Sequence, residues 1–420
     1  MRIAVANFSS RRVGGAESYI DEVIAQFVKA GHQVGLFVEY DIPANRPPIR
    51  IPGESPLWCI AKDGATGATA ALRDWHPDLI FGHGLGNPAN EAATLSIAPA
   101  VFFAHGYYGT CISGAKTNSY PNVVPCSRTF GRKCLLHFYP RRCGGLSPVT
   151  ALIEYRRQAE RLKLLRRFRA ILTDSTHMRD EYLRHGFAPD MVVRSLYLCG
   201  TDARLDTAIE SPTARNGNSN DNLSGTVRLL FLGRMDVLKG GLILLDCLPT
   251  VAAALDRPIE LTFGGDGPAR ELWSRRAQAI SAKDARVTTV FEGWLGPERI
   301  AQLQAASDLL VMPSLWPEPF GRVGLESGFR GLPTAAFAVG GIPDWLHDGV
   351  NGHMAPGNPA TPDGLAQAIV KCLGKPAEYQ RLCRGALAVA KRFNLQNHMA
   401  QLYELFDQVV GQSESDIREG

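Results

Sequence analysis

The feature that most constrains this chain is an alternation of short apolar strands with helical patterns, and it occurs twice. Apolar strands that alternate with helices are typical of βαβ units and a parallel sheet. The first series predicts helices at Ala16–Ala30 and Gly67–Trp75, and strands at Ile3–Ala6, Gln33–Val38, Leu79–Phe81, Ala100–Ala104 and Ala170–Thr173. We therefore expect a doubly wound α/β domain in the first half of the chain.

The alternation stops between Gly200 and Gly225, where small and polar residues such as SPTARNGNSNDNLSG leave nothing to bury. A second series predicts strands at Val227–Leu232, Ile259–Gly264, Thr288–Phe291, Leu309–Met312 and Pro333–Phe337, and helices at Gly241–Leu255, at Glu271–Ile280 and from about Gly296 and Arg322. At 420 residues the chain is also longer than one core sustains. The sequence therefore predicts two Rossmann-like domains, 1–199 and 227–392, joined by a linker at 200–226. We expect ligands at the carboxyl ends of the strands, in a cleft that the two domains face.

Two cations follow the first strand of the second series. Gly233-Arg234 ends that strand, and Lys239 comes five residues later, directly before Gly240-Gly241 at the start of a helix. A forked guanidinium, an ammonium and bare backbone amides at a strand-to-helix turn suit a diphosphate. Arg and Lys beside a turn are, however, more often solvated surface residues.

Loops rich in glycine and proline follow the later strands. Phe263-Gly264-Gly265-Asp266-Gly267-Pro268 and Val290-Phe291-Glu292-Gly293-Trp294 each end a strand, and such glycines let the backbone approach a ligand or simply make a tight turn. In the loop at 313–326, Glu318 lies between prolines and Glu326 lies eight residues further, on the next predicted helix. A carboxylate at that position can accept both hydroxyls of a ribose.

Several common motifs are missing, among them G-x-G-x-x-G, G-x-x-x-x-G-K-S/T, H-E-x-x-H, G-x-S-x-G and a metal-binding D-x-D. What is present resembles the family-4 retaining glycosyltransferases of the GT-B fold. The resemblance is carried by Gly14-Gly15-Ala16-Glu17, Gly233-Arg234 with Lys239-Gly240, Gly264-Gly265-Asp266-Gly267-Pro268, the pair Glu318 and Glu326, Gly340-Gly341-Ile342-Pro343-Asp344 and Asp348-Gly349-Val350-Asn351-Gly352. It runs from residue 3 to about 360, and its motifs are more specific in the second half.

The resemblance implies roles for particular residues. The catalytic set would be Arg234 and Lys239 on the donor diphosphate, without a catalytic metal, Glu318 on the sugar hydroxyls, and His105, which matches the family histidine near the donor sugar. The donor-binding set would be Gly14, Gly15, Gly264, Gly265, Phe291, Gly293, Phe320, Gly321, Arg322 and Glu326. His83 is a weaker candidate of the same type as His105. In this fold the last helix returns to the first domain, which predicts such a role for 393–412.

The resemblance implies a retaining transfer of a sugar from a nucleotide sugar to an acceptor hydroxyl, in the synthesis of a cell-surface polysaccharide or glycolipid. Two alternatives remain: a sugar-nucleotide epimerase of the same fold, and a catalytically silent subunit that binds a sugar nucleotide. The acceptor would be a glycan or a lipid-linked molecule. Cofactors are not implied.

Charge is divided unevenly between the halves. Residues 1–198 carry 24 Lys and Arg against 16 Asp and Glu, a net +8, whereas the remainder has a net −4. Between Cys126 and Arg169 twelve basic residues face only two glutamates. Such a surplus predicts an anionic partner for the first half. Nucleic acid is a poor fit, because basic residues are not interleaved with aromatic ones.

Apolar residues recur at 155, 159, 162, 165, 168 and 171 within the basic segment Tyr155–Ile171, which predicts an amphipathic helix. It would either pack on its own domain with a solvated basic face, or hold an anionic membrane surface or lipid diphosphate. No apolar run approaches the roughly 18 residues of a spanning helix, and no secretory leader is evident. We therefore expect a cytoplasmic protein, with peripheral binding at the inner face of the cell membrane as a possibility.

Four of the nine cysteines, Cys111, Cys126, Cys134 and Cys143, lie within 33 residues. Four thiolates can bind a structural zinc ion, although no C-x-x-C pair is present. Free buried cysteines are the commoner alternative, and in a reducing compartment disulfides are the less expected one.

Overall fold

The computed structural model describes residues 1–42, 46–145, 147–195 and 225–419, with the side chains of the last helix described up to residue 412. Almost all of the predicted linker at 200–226 lies outside the described residues. The described chain divides into two compact units. The first comprises Met1–Lys116, the described part of 127–199 and the segment from Leu395 onwards, and the second comprises Thr117–Cys126 and the described part of 200–394.

The secondary structure of these residues follows the predicted alternation. The strands are β1 Arg2–Ser9, β2 Gln33–Tyr40, β3 Leu57–Cys59, β4 Leu79–Gly82, β5 Ala100–Ala104, β6 Thr117–Asn118, β7 Val124–Pro125, β8 Ala170–Thr173, β9 Val192–Arg194, β10 Val227–Leu232, β11 Ile259–Gly264, β12 Val287–Gly293, β13 Leu309–Met312, β14 Thr334–Ala338 and β15 Gly352–Pro356. The helices are α1 Gly15–Lys29, α2 Ile60–Asp63, α3 Ala65–Asp74, α4 Pro88–Thr94, α5 Lys133–Phe138, α6 Pro148–Leu165, α7 Thr176–Arg184, α8 Gly241–Leu255, α9 Arg270–Ser281, α10 Pro297–Ala306, α11 Arg322–Gly328, α12 Pro362–Leu373, α13 Pro376–Ala390 and α14 Leu395–Glu419.

The first unit is built on a seven-stranded sheet in the order β3-β2-β1-β4-β5-β8-β9. Its neighbouring strands are parallel, with Ile3 opposite Val34 on one side and opposite Leu79 on the other. Both faces of such a sheet are covered, so its strands read as continuous apolar runs rather than alternating ones. Helix α14 shares this core, because Leu402 and Phe406 are fully buried among residues of β1, α1 and β4.

The second unit is built on a six-stranded parallel sheet in the order β12-β11-β10-β13-β14-β15. The strand order reverses between β10 and β13, which pair directly. In doubly wound sheets the ligand binds at the carboxyl ends of the strands beside such a reversal. The residues that follow Leu232 and Met312 are therefore the ones placed at this switch point.

One stretch of the described residues, Val237–Leu255, has the length and apolar composition of a membrane span, with a mean hydropathy of 1.6. It consists of α8 and the 3-10 turn that precedes it. Leu244, Leu248 and Val251 of α8 are fully buried, and the helix contacts β11, β12, α9 and α12. We interpret it as a core helix of the second unit.

The predicted amphipathic helix over Tyr155–Ile171 is wrong at its C-terminal end. Helix α6 begins earlier, at Pro148 after the N-cap Ser147, and ends at Leu165. Phe168 follows in the connection, and Ile171 is the second residue of β8. The helical spacing of these two apolar residues is therefore coincidental, because Phe168 lies in the connection after α6 and Ile171 lies in β8.

Candidate functional site

Lys239 and Glu318, although 79 residues apart, form an ion pair at the switch point of the second unit. Lys239 follows β10 and Glu318 follows β13, and their Nζ and Oε1 atoms are 2.5 Å apart. Ser314 also donates a hydrogen bond to Glu318 Oε1 at 2.5 Å, and Lys239 Nζ lies 5.0 Å from the centre of the Trp316 ring. The Glu318 carboxylate is buried, whereas the lysine side chain is about a quarter exposed. An ammonium has three donors, so Lys239 can bind a further anion while it contacts Glu318.

A glycine makes this approach possible. Gly240 has a φ of +72°, and a Cβ atom there would lie 1.8 Å from the carbonyl oxygen of Pro313. Any larger residue would separate the two turns that carry Lys239 and Glu318. The same turns are joined by a hydrogen bond from the Leu315 amide to the carbonyl of Leu238, at 2.8 Å.

Arg234, the other cation of this turn, is exposed. Within the part of the chain that the structure describes, its guanidinium has no hydrogen bond or ion pair. Its position is held through its neighbours, since the Gly233 amide donates to Gly264 O at 2.9 Å and the Met235 amide donates to Asp266 O at 2.9 Å. A fixed backbone with an unpaired guanidinium is suited to binding an anion.

The predicted donor-binding residues Gly264, Gly265, Phe291 and Gly293 lie at the ends of β11 and β12. A Cβ atom on Gly265, whose φ is +132°, would lie 2.0 Å from Gly233 O, and the Gly265 amide donates to Gly293 O at 2.7 Å. These glycines, with Gly264, thus let three strand ends approach one another. The Phe291 ring is half-buried and stacks on Phe263, with centroids 4.8 Å apart.

The loop after β13 continues into α11, which Gly321 caps. Phe320 is 2% exposed, so its side chain belongs to the core, and its carbonyl accepts a hydrogen bond from Trp345 Nε1 at 2.7 Å. Arg322 contacts Glu326 at 3.5 Å, one turn further along the helix. The Glu326 side chain is 37% exposed and lies on the second turn of α11, so it is accessible to a ligand.

The remaining predicted residues belong to the first unit. Gly14 and Gly15 are exposed at the start of α1, where the Gly14 amide donates to the Glu17 carboxylate at 2.9 Å. His83 and His105 follow the neighbouring strands β4 and β5 and form a hydrogen bond of 2.9 Å between Nδ1 and Nε2. Burial, and to a smaller extent the nearby His105, hold the pKa of His83 well below its usual range. The His83 ring is therefore uncharged near neutral pH.

The first unit also contains a buried carboxylic acid that the sequence analysis did not predict. Glu91, on α4, accepts a hydrogen bond from the Tyr108 hydroxyl at 2.5 Å, and the Arg161 guanidinium lies 4.4 Å from the centre of the Tyr108 ring. Burial raises the pKa of Glu91 to about 7, against the opposing effects of Tyr108 and Arg161. The only sequence signal is a glutamate among the small residues of 88–94.

This pKa predicts a pH dependence of stability that the substitution Glu91→Gln removes. The folded state binds the proton more tightly than the unfolded state, so the stabilisation is present at low pH and is lost as pH rises through about 7. The size of the raised pKa of Glu91 corresponds to about 3 kcal/mol. Relative to Glu91→Gln, the unfolding free energy of the wild type should therefore fall by about that amount between pH 5 and pH 8. Urea denaturation of both proteins measures this difference. Parallel pH profiles would show that Glu91 titrates normally.

The structure does not bring the four clustered cysteines together. Cys111 contacts the Ser113 hydroxyl and the Lys116 amide, Cys134 contacts Thr129 O, and Cys143 contacts His137 O. In the described part of the chain no three His, Cys, Asp or Glu side chains are placed to hold a metal ion. The described cysteines are free thiols.

Sequence reasoning missed three residues that support this site, namely Ser314, Trp316 and Trp345. Ser314 and Trp316 lie in the same loop as Glu318, so the loop was identified but the partners were not. Trp345 lies 25 residues beyond Phe320 and is fully buried, and nothing in the local sequence links the two.

Two family models match this chain. Residues 13–194 match Glycosyltransferase Family 4, and residues 226–375 match Glycosyl transferases group 1. Together these ranges cover most of the chain and correspond to the two units.

Curated relatives match over shorter ranges. A D-inositol 3-phosphate glycosyltransferase from Streptomyces griseus is 33% identical over 172 residues, which are 39% of this chain and 35% of that protein. A glycogen synthase from Mycobacterium tuberculosis is 29% identical over 225 residues, 53% of this chain and 50% of that protein. The matched part thus spans half or less of the length of these relatives.

Solved structures match over nearly the whole chain. HepE from Anabaena in complex with UDP-glucose has a TM-score of 0.64 at 19% identity, and the match covers 97% of this chain and all of that one. WaaG, a glycosyltransferase involved in lipopolysaccharide biosynthesis, has a TM-score of 0.63 at 17% identity and also covers 97% of this chain and all of its own. At such identities the likeness establishes the fold. With both family models matched, this chain belongs to the family-4 glycosyltransferases of the GT-B fold.

Proposed function

We propose that this protein transfers a sugar from a nucleotide sugar to an acceptor hydroxyl with retention of anomeric configuration. The observation that carries the proposal is the group of Arg234, Lys239 and Glu318 at the switch point of the second sheet. It combines one cation without a partner in the described chain, one cation with spare donors and one buried carboxylate. Such a group suits a diphosphate joined to a polyhydroxylated ring.

In the proposed reaction the bond between the anomeric carbon and the diphosphate oxygen breaks, and the acceptor oxygen bonds to the same face of that carbon. The acceptor proton passes to an oxygen of the leaving diphosphate. Arg234 and Lys239 stabilise the negative charge that develops on this group. Glu318, held by Ser314 and Lys239, accepts hydrogen bonds from sugar hydroxyls, and Glu326 accepts them from the ribose. No metal ion enters the proposed reaction.

The first unit is proposed to supply the acceptor side and His105. An unpaired buried N–H costs more than an unpaired lone pair, and His83 Nε2 has no partner among the described residues. The His83 proton therefore belongs on Nδ1, where it is donated to His105 Nε2. In this arrangement His83 contacts the His105 ring, and His105 is proposed to lie near the donor sugar.

The named relatives suggest which substrates to test first. HepE has been solved with UDP and with UDP-glucose, which makes uridine diphosphate sugars the first donors to examine. A role in cell-surface polysaccharide or glycolipid synthesis on the cytoplasmic side of the membrane is our working proposal for the pathway.

Thermal shift followed by product analysis tests the proposed function. A donor that binds only the native state raises the melting temperature, so UDP, GDP and their glucose derivatives are compared first. The best donor is then incubated with simple sugars and inositol phosphate, and proton NMR reports the anomeric configuration of the product. We expect an α-linked product from an α-linked donor. An inverted product would contradict the retaining mechanism, an epimerised nucleotide sugar would indicate the epimerase, and binding without turnover would indicate a silent subunit.

A further inference from the structure

Strand β12 forms one edge of the second sheet and is open to pairing with another strand. Of the four edge strands of the two parallel sheets in the described chain, β3 and β9 have three residues each and β15 ends in Pro356. β12 has seven residues and no proline, its first four residues, Val287–Val290, are all β-branched, and its single charged residue is Glu292 near its end. Natural sheets usually protect their edges with short strands, prolines or charged residues. β12 therefore has the properties of a strand that pairs with another chain.

The hydrogen bonds to β11 determine which backbone groups of β12 point outward. The Ile259 amide of β11 donates to Arg286 O at 2.7 Å, directly before β12. Alternate residues of a parallel strand bond to the same neighbour, so every second residue from Arg286 onwards directs its N–H and C=O groups to β11. Thr289 and Phe291 lie between these residues and direct their backbone groups away from the sheet. Among the described residues these four groups have no hydrogen-bond partner.

An antiparallel second copy fits this edge about a two-fold axis at Val290. In that alignment Thr289 of one copy is opposite Phe291 of the other, and such a pair exchanges two N–H···O=C bonds. The two-fold axis generates the same pair again, so all the outward groups of both copies are used. Val290 faces its own copy in a non-hydrogen-bonded pair, where side chains lie closest. Its side chain is 42% exposed, so the contact would bury apolar surface.

The side chains that this alignment brings together are compatible. Thr288 is opposite Glu292 of the second copy, so no like charges are opposed within the strand. Arg286 precedes β12 and Trp294 follows it, and the alignment therefore brings Arg286 of one copy near Trp294 of the other. The Trp294 side chain is 54% exposed, and Asp284 holds the Arg286 guanidinium at 2.8 Å, where it can still stack on an aromatic ring. A parallel, in-register alignment would instead place Arg286 beside Arg286 and Glu292 beside Glu292.

We propose that two copies of this protein pair antiparallel through β12 and join their six-stranded sheets into one continuous sheet. A second copy is favoured over an unrelated extended segment because the edge is self-complementary. Its outward backbone groups, its central valine and the residues at its two ends each meet a fitting group in a single register. The pairing does not depend on sugar transfer, so it is measured without a donor or acceptor and is tested separately from the proposed function.

Sedimentation velocity with the full-length protein tests the proposal. The wild type should change from monomer to dimer between about 1 and about 100 μM, because pairing through one strand makes a small interface. Val290→Glu and Val290→Lys should each stay monomeric over this range, since the axis would bring two like charges into contact. An equimolar mixture of these two variants should recover the dimer, because the new carboxylate then faces the new ammonium. This recovery is specific to a two-fold axis at position 290.

The substitution Thr289→Pro tests the backbone bonds. The Thr289 N–H points away from β11, so proline removes a bond of the dimer and leaves the ladder with β11 in place. We expect dimerisation at least tenfold weaker than in the wild type. Val350→Glu is the matched control, because Val350 is 44% exposed in the turn before β15, at the opposite edge of the same sheet, and it should dimerise like the wild type. Thermal unfolding of every variant checks that the fold is intact.

Three results would overturn the proposal. The first is a wild-type protein that stays monomeric over the whole concentration range. The second is a wild-type dimer that persists unchanged in Val290→Glu and Thr289→Pro, which would place the association on another surface. The third is a mixture of Val290→Glu and Val290→Lys that remains monomeric, which would exclude the two-fold axis at Val290.

Discussion

Replacing Lys239 by alanine is expected to slow sugar transfer by about 10² to 10³-fold, which is the usual cost of removing one preorganised group that stabilises developing charge. The side chain belongs to the turn after β10 and would face the leaving diphosphate. The loss should appear mainly in kcat, because the charge on the leaving oxygen grows during the reaction. Steady-state release of nucleoside diphosphate measures it. Lys283→Ala, which removes an exposed lysine of the same unit, is the control and should retain full activity.

The variant Arg234→Ala separates catalysis from stability. Lys239→Ala leaves the buried Glu318 carboxylate without its cation, so some loss of stability is expected as well. Arg234 is exposed and, in the described chain, unpaired, so its replacement should leave the unfolding free energy within about 0.5 kcal/mol of wild type. Its transfer rate should nevertheless fall by a comparable factor. Full transfer rates in both variants would rule out the proposed role of these cations.

The largest effect on stability is expected at Glu181 in the first unit. Lys116 Nζ forms an ion pair with Glu181 Oε1, and both side chains are almost completely buried, at 3% and 0% exposure. Lys116 also donates to the carbonyl oxygens of Arg128 and Thr110, and Arg184 contacts the other oxygen of Glu181 at 2.5 Å. The substitution Glu181→Leu leaves a buried ammonium without a counter-charge. We expect it to lower the unfolding free energy by about 3–5 kcal/mol.

A double variant distinguishes the ion pair from general packing. If the cost arises from an uncompensated charge, adding Lys116→Met to Glu181→Leu should recover a large part of the lost stability. The partly exposed pair Glu154–Arg157 is the control, and Glu154→Ala should change the unfolding free energy by no more than about 0.5 kcal/mol. Urea denaturation provides the measurements. Additive losses in the double variant would show that charge compensation is not the cause.

Much of the sheet architecture could be predicted because buried parallel strands carry a strong local signal. Ala100–Ala104, Val227–Leu232 and Leu309–Met312 have the bounds that their apolar runs predicted. Five strands were missed. β6 and β7 have two residues each and β3 and β9 have three, which is too short for a pattern, and β15 contains exposed and partly exposed residues that interrupt its apolar run. Helix bounds were less secure, as the end of α6 at Leu165 shows. The spacing of apolar residues predicts which side chains are buried, but not whether they lie on a helix, on a strand or in a connection.

The sequence predicted which residues belong to the candidate site, but not which of them contact one another. Glycines and cations at strand ends marked Arg234, Lys239 and Glu318, because parallel strands end at one edge of a sheet. The ion pair between Lys239 and Glu318 forms because β10 and β13 are neighbours in the sheet. No local sequence pattern predicts that these two strands pair. The same holds for Lys116, whose burial against Glu181 joins segments 65 residues apart.

By itself, the sequence determined two α/β units, the strand ends that carry chemistry and a first half with a basic surplus, since each depends on local composition and periodicity. The tertiary structure alone decided which charges are paired, which glycines let two backbones approach closely and which apolar side chains of the basic segment remain exposed. These outcomes depend on contacts between residues far apart in the chain, and the free energy of a charge or an apolar side chain is set by what surrounds it after folding.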